Sequence, residues 1–412
     1  MPTSAAPRRL RLRLGLAAAL LAAGAAPALA GEPWPAAATP PLSGTDLDWR
    51  LALRGAWIAD GAGGRFETLT IPAVTFSRET LRGGYSVSAD AEIALGEAGG
   101  IRLGALRAGL AGTYRLDALI GLAGRLDLSL SQDDPDAPAD PAGTAAAALV
   151  GSAAGEVTVS RGFGRFDAVL RASASRSVHG ETTRHDGAVI DNSDQDNWTA
   201  GAGLRLGYRV TPMVAAFVDG RAGYQLYDVA SPTYLVRLDA ADYSLRAGLA
   251  ARWRGVLEAE AAAGVNLRRF AEPGFPDLVT TLYDASLSWR PDETLTLGAR
   301  VSTAVGAPGP EESGLARVAY SAGADLRYQA NARLAVRGSA GWSSASFAGT
   351  TRSETGFSAG AGLDYLLNAG TTLTADYAYG ATSEDADAAP DIEHRVTFGV
   401  TLARPHRAAM TD

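Results

Sequence analysis

The groups in this chain that could do chemistry are few and scattered. Four histidines occur, His179, His185, His394 and His406, and there is no cysteine. Without cysteine there can be no disulfide framework, thiolate metal site, lipoprotein anchor or thiol nucleophile. His179 and His185 share a segment with Asp186, Asp191, Asp194 and Asp196, a set that could ligate a cation. The run from 191 to 196 does not follow a calcium-loop pattern, so a solvated acidic loop is the preferred reading. His394, with Glu393 beside it and serines nearby, could be imagined as a hydrolytic base, a role few exposed histidines have. Glu258 and Glu260 share a face two residues apart, but paired-carboxylate glycoside hydrolysis needs a closed cleft. The sequence therefore predicts no catalytic residue, no metal site and no cofactor.

The remaining ionisable groups follow a parity. All 37 basic residues are arginine, set against 45 acidic ones. From about residue 197 they fall on alternate positions of segments about ten residues long. Residues 243–254 (YSLRAGLAARWR) are the clearest copy, with apolar residues at odd positions and, Ala250 apart, polar, charged or glycine residues at even ones. A period of two makes such a segment a β-strand with one greasy and one wet face. The wet face gathers Arg205, Arg209, Asp219, Arg221, Arg246, Arg252, Glu258, Glu260, Asp284, Arg300, Asp325, Arg327, Arg337, Asp364, Asp376 and Arg395. The opposite face carries Leu204, Leu206, Leu249, Val265, Leu287, Leu297, Val301, Leu326, Leu363 and Val400. An arginine facing lipid at mid-bilayer would cost about 2–4 kcal/mol, so consistent sorting implies that the charged face lines a lumen.

The elements that must hold these residues number about eighteen, with sixteen possible. Strands are expected at 48–58, 66–78, 85–95, two within 101–131, and at 155–160, 166–177, 198–210, 213–227, 243–254 and 256–268. The rest are at 279–290, 294–305, 317–329, 333–344, 356–367, 371–380 and 393–402. Pro72 implies a bulge or break in its segment. Short connections such as Thr211-Pro212 and Asn368-Ala369-Gly370 alternate with long ones at 132–154, 178–197, 228–242, 270–278, 306–316, 347–353 and 381–391. That asymmetry, with an even strand count, predicts an all-β, transmembrane, antiparallel up-and-down barrel in an outer membrane, with short turns and both ends in the periplasm. Tyr208, Tyr243, Trp253, Trp289, Tyr328, Trp342 and Tyr365 stand near strand ends on the greasy face, as interfacial girdles would. His394 breaks the facing rule at the outer end of its strand. A soluble sandwich or propeller would also alternate, but would not give one-sided loop lengths.

Residues 1–30 read as a signal peptide, with four arginines, a short apolar run and Ala28-Leu29-Ala30 at the cleavage site. A periplasmic lead-in at 31–45, the barrel at 46–404 and a tail at 405–412 complete the expected organisation. The acidic balance excludes nucleic acid as a partner. By count, the third outer loop contains Asp133, Asp134, Asp136 and Asp140, which could form an acidic constriction facing lumen arginines; a surface loop is the slightly preferred alternative.

Two stretches, Leu287 through Leu297 (LSWRPDETLTL) and Gly360 through Asn368 (GAGLDYLLN), resemble a family of putative outer-membrane β-barrel porins of Gram-negative bacteria, the type-two barrel porins. The resemblance covers residues 197–404 and implies architecture more than a reaction. It implies a porin-like channel for passive diffusion of small hydrophilic solutes, with outer-membrane lipid, lipopolysaccharide and the barrel-assembly machinery as partners. The alternative is a non-conducting accessory barrel serving polysaccharide export or adhesion. Solute, oligomeric state and an open or plugged lumen are left open. Members often end on an aromatic residue; here the last strand reads Val396-Thr397-Phe398-Gly399-Val400-Thr401-Leu402 and a tail follows.

Overall fold

In a computed structural model, residues 44–61, 63–96, 100–132, 144–308, 314–384 and 389–404 are described. Eighteen strands form one sheet. They are β1 Gly44–Asp60, β2 Gly63–Thr80, β3 Gly83–Gly96, β4 Ile101–Arg115, β5 Ile120–Gln132 and β6 Leu149–Phe163. Next come β7 Phe166–His179, β8 Asn197–Arg209, β9 Val214–Tyr227, β10 Ala240–Trp253, β11 Leu257–Phe270 and β12 Leu278–Trp289. The last are β13 Leu295–Gly306, β14 Arg317–Gln329, β15 Leu334–Phe347, β16 Ser353–Asn368, β17 Thr371–Glu384 and β18 Asp391–Ala403. Each pairs antiparallel with the next in sequence, and β1 closes on β18 from Arg50↔Ala403 to Ala59↔His394. The sheet is a closed barrel of eighteen strands.

The solvation pattern is that of a soluble protein turned inside out. Leu204, Leu206, Leu249, Val265 and Trp253 are exposed, whereas Asp219, Gln225, Asn266, Thr280 and Arg268 are buried. Arg268, 1% exposed, heads the largest fully buried side chains. Only an apolar medium outside makes that arrangement stable, because the exposed rows gain nothing from water. The predicted girdle residues are all exposed, and Trp49, Trp57, Tyr114, Tyr283 and Phe357 join them on the surface.

The short turns are locally determined. At Arg254 and Gly255 both φ values are positive, +48° and +73°, and Val256 N–H bonds Trp253 C=O, as the twist of a tight hairpin requires. Other turns are tied by a side-chain acceptor. Asp117 takes the N–H groups of Leu119 and Ile120, and Asn331 those of Arg333 and Leu334.

Two expectations need correction. β2 runs unbroken through Pro72, which stays in register with Leu51; the β2–β3 ladder instead skips Ile71 and Pro72, so the missing N–H leaves a gap in one ladder and no break in the strand. The connection expected at 132–154 is shorter, because β6 already begins at Leu149 and pairs with Gln132. The first six residues of β6, LVGSAA, put like residues side by side and do not register as alternation.

The long connections have structure of their own. Thr144–Ala146, Thr182–Arg184 and Val189–Ile190 form a small antiparallel sheet joining two of them. An apolar cluster lies at the same end of the barrel. Tyr227, Leu238, Ala240, Phe270, Leu315 and Ala316 form it, with Tyr234, Phe275 and Leu278 packed against it. Phe275 meets Tyr234 and Phe270 edge-on, at 5.5 and 5.8 Å between ring centroids. Tyr227, Ala240 and Phe270 share the parity of the inward Gln225, Asp242 and Arg268, so loop residues fold onto the inner wall of the mouth.

Candidate functional site

Seven of the expected charged positions, Arg205, Asp219, Arg221, Arg246, Glu260, Asp284 and Arg300, line a cavity of about 900 Å³ inside the barrel together with Arg171. Strand pairing places them there because lumen-facing residues of neighbouring strands stand side by side, as in Arg205↔Asp219↔Arg246.

Arg205 reaches from β8 to β11 and donates two parallel hydrogen bonds to Glu260, at 2.8 and 2.9 Å. Its guanidinium lies 3.6 Å from the centroid of the Phe217 ring. That stack needs glycine beneath it: a Cβ at Gly248 would come within 2.5 Å of the Phe217 Cζ and 2.4 Å of the Ala261 carbonyl oxygen. Asp219 accepts from Arg221 at 2.9 Å and faces Arg171 at 3.5 Å. Arg246 pairs with Asp284, and Arg252 faces Glu258 at 3.3 Å. Spacing along the chain would suggest Arg246 or Arg252 for Glu260; the barrel wall brings Arg205 instead.

A second group lies on β14 to β17. Arg337 donates to both oxygens of Asp364 at 2.9 Å and to Asp376 at 2.7 Å, while Arg327 stands 3.6 Å from Asp364. Gly362 makes room, since a Cβ there would fall 2.2 Å from Asp376 Oδ1. Asp325 is exposed over Gly298, Arg209 is half-buried, and Arg395 stands 3.5 Å from Glu393. Arginine suits such sites because its fork meets carboxylates in two directions while keeping its charge.

Asp133, Asp134, Asp136 and Asp140 lie outside the described residues. Several lumen charges were missed from sequence. Asp90 and Arg107 pair at 3.1 Å, Arg102 and Glu67 at 2.7 Å, and Arg125 pairs with Asp127. The alternation of β3 already marks Asp90 as opposite Val87, so following parity through the first five strands would have found them. Arg268, held by Asp242 at 2.9 Å and Gln225 at 2.5 Å, was also readable this way.

His179 and His394 have structural partners, and His406 lies outside the described residues. His179 Nδ1 is 3.3 Å from Asp196 Oδ1, which also accepts the His179 backbone N–H at 2.7 Å. His394 Nδ1 shares a 2.8 Å hydrogen bond with the Tyr377 hydroxyl, and its ring centroid lies 5.4 Å from that of Tyr379, in an exposed aromatic group. In the same long loop, burial pushes the Asp194 carboxyl above its usual range, whereas the Ser193 N–H holds Asp191 below it. Asp228, bonded by Arg176 at 2.9 and 2.5 Å, is also held low by that hydrogen bond.

The family model described as Putative beta-barrel porin 2 matches residues 105–404. No curated protein matches the chain. Among solved structures, OccK2 (OpdF) of Pseudomonas aeruginosa is similar at 12% identity, over 87% of this chain and 98% of that one, with a TM-score of 0.46. OpdK of the same organism, solved with vanillate, is similar at 13% identity over 87% and 99%, with a TM-score of 0.44. The FrpB iron transporter of Neisseria meningitidis gives 8% over 87% and 82%, at 0.41.

Proposed function

As the chain belongs to the Putative beta-barrel porin 2 family, we propose that it conducts small hydrophilic solutes passively across the outer membrane in which such barrels reside. The observation that carries this reading is the inverted wall: Leu249 exposed to lipid, and Arg205, Asp219 and Glu260 around an aqueous cavity. Interleaved arginines and carboxylates set a strong local field there, which orients dipolar solutes and weights ions by charge, as charged rings do in other pores. Neutralisation in pairs keeps the lumen from holding a single-sign ion too tightly to release it.

Delivery follows from the ends of the chain. Residues 1–30 act as a cleaved export signal, 31–45 as a periplasmic lead-in and 405–412 as a tail. The assembly machinery inserts residues 46–404 among lipid and lipopolysaccharide. The lumen charges serve permeation and no catalysis is assigned to them.

Purified protein in planar bilayers tests the reading. Discrete, reproducible conductance steps are expected, with a reversal potential in a salt gradient that shifts when lumen charges are changed. Silence in bilayers, from protein with intact β-structure, would overturn the channel and leave an accessory barrel.

A further inference from the structure

The wall has one seam unlike its neighbours. β12 and β13 pair through five residues, from Trp289↔Leu297 to Ala285↔Val301. Beyond that point, residues 278–284 pair only with β11 and residues 302–306 only with β14. Continuing the register would set Tyr283 opposite Thr303. Instead the Thr303 hydroxyl accepts the Tyr283 N–H at 2.9 Å and donates to its C=O at 3.1 Å. A side chain thus stands in for the backbone of its own strand. Tyr320 on β14 reaches past β13, its hydroxyl 3.5 Å from the Thr281 carbonyl oxygen. The seam is closed by hydroxyl latches in place of a ladder.

The cavities on the two sides of the wall meet at the apex of this seam. The lumen cavity is lined by Ala285, Ser286, Arg300 and Val301. The same four residues line a separate apolar hollow of about 380 Å³ on the outer face, floored by Ala259, Ala261 and Ala299 and rimmed by Leu249. Its volume is that of a small-ligand pocket. The inner side also departs from the rule of the barrel. Lumen-facing positions of the unpaired part of β12 are Leu278, Thr280 and Leu282, followed at its inner end by Asp284 in its pair with Arg246, and Leu278 packs against the apolar cluster of the mouth.

We propose that the wall between β12 and β13 is a lateral exit through which small, mainly apolar molecules leave the lumen for the surrounding lipid. The path runs from the mouth cluster along Leu278 and Leu282, between Tyr283 and Thr303, into the alanine-floored hollow. It adds a second route and cargo class to axial diffusion of hydrophilic solutes. An apolar solute is favoured there because Leu278 and Leu282 line the approach, alanines floor the outer hollow, and only two latching hydroxyls stand between them. The rest of the lumen wall offers it paired ions.

The cysteine-free chain allows a direct test. Tyr283→Cys with Thr303→Cys, oxidised, staples the seam; Leu245→Cys with Val265→Cys, across an intact ladder, is the control. The probe is N-phenyl-1-naphthylamine, which fluoresces on reaching lipid, added to intact Gram-negative cells producing each barrel. The stapled seam is expected to reduce dye uptake to that of cells without the barrel, with recovery on adding reductant, while single-channel ion conductance is unchanged. The control staple is expected to change neither. Thr303→Val, which removes a latch without changing shape, is expected to raise uptake. Equal uptake in oxidised and reduced protein, or an equal loss with the control staple, would overturn the exit, and so would uptake and conductance falling together. Absence of ion steps from every variant would instead sink the axial channel, with the dye result still judging the seam.

Discussion

Leu249 and Ala250 are adjacent in sequence and meet different media, the first exposed on the outer row and the second opposite Glu260 on the inner one. Leu249→Arg is expected to cost about 2–4 kcal/mol and to block membrane assembly. Ala250→Arg should assemble normally, as judged by heat-modifiable migration of the folded barrel; equal behaviour of the two would refute the facing. A second residue-scale expectation concerns Arg205. Arg205→Ala removes a positive charge from the cavity and strips Glu260 of its two hydrogen bonds. The lumen becomes more negative, so the reversal potential in a salt gradient should move toward the cation equilibrium potential; a shift toward the anion value would show that Arg205 does not face the permeation path. The residue types and their parity were readable in the chain. Their partners were not, because the Arg205–Glu260 pair joins strands separated by two others and depends on Gly248 and Phe217 lying between them.

At the scale of elements, strand count and turn positions were legible because both are local properties: alternation marks a strand, and an acidic or amide side chain beside a tight turn marks its end. Asp292 is such a case. Its carboxylate accepts the Thr294 hydroxyl and the N–H groups of Thr294 and Leu295, which holds its pKa below the usual 3.8, the hydroxyl contributing most. A carboxyl depressed in the folded state stabilises its turn above the ordinary carboxylate range and loses that contribution as pH falls through the depressed value. Amide exchange of Thr294 and Leu295 should therefore be slow at neutral pH and gain relative speed below 3.8. Asp292→Ala should remove the protection at neutral pH, and unaltered exchange in that variant would show the turn is held otherwise. What the chain did not reveal at this scale is the seam. Nothing in the residues of β12 or β13 announces that their ladder stops at Ala285↔Val301, since pairing depends on how each strand is held from its other side. The start of β6 was hidden for a simpler reason, the side-by-side apolar and small pairs of its first residues, LVGSAA.

At the scale of the molecule, loop residues pack on the inner wall of the mouth in an apolar cluster that no periodicity predicts, because Tyr234, Leu238 and Phe275 have no repeat to follow. Phe270 is the inward anchor of that cluster. Phe270→Ala should cost about 3–5 kcal/mol of packing, free the connections that rest on it, and increase single-channel conductance; unchanged steps would show that these loops do not limit the path. The closure of β1 on β18 has a different consequence, one of timing. Every other ladder of the barrel joins strands adjacent in sequence, whereas this one joins Arg50 to Ala403 across nearly the whole chain. Nearest-neighbour hairpins form fast and the end-to-end contact is the slow, entropically costly one. Until it forms, the nascent sheet has two raw edges able to pair with foreign strands. These edges, on β1 and β18, are the last to be covered, at the moment when the rest of the wall is already built.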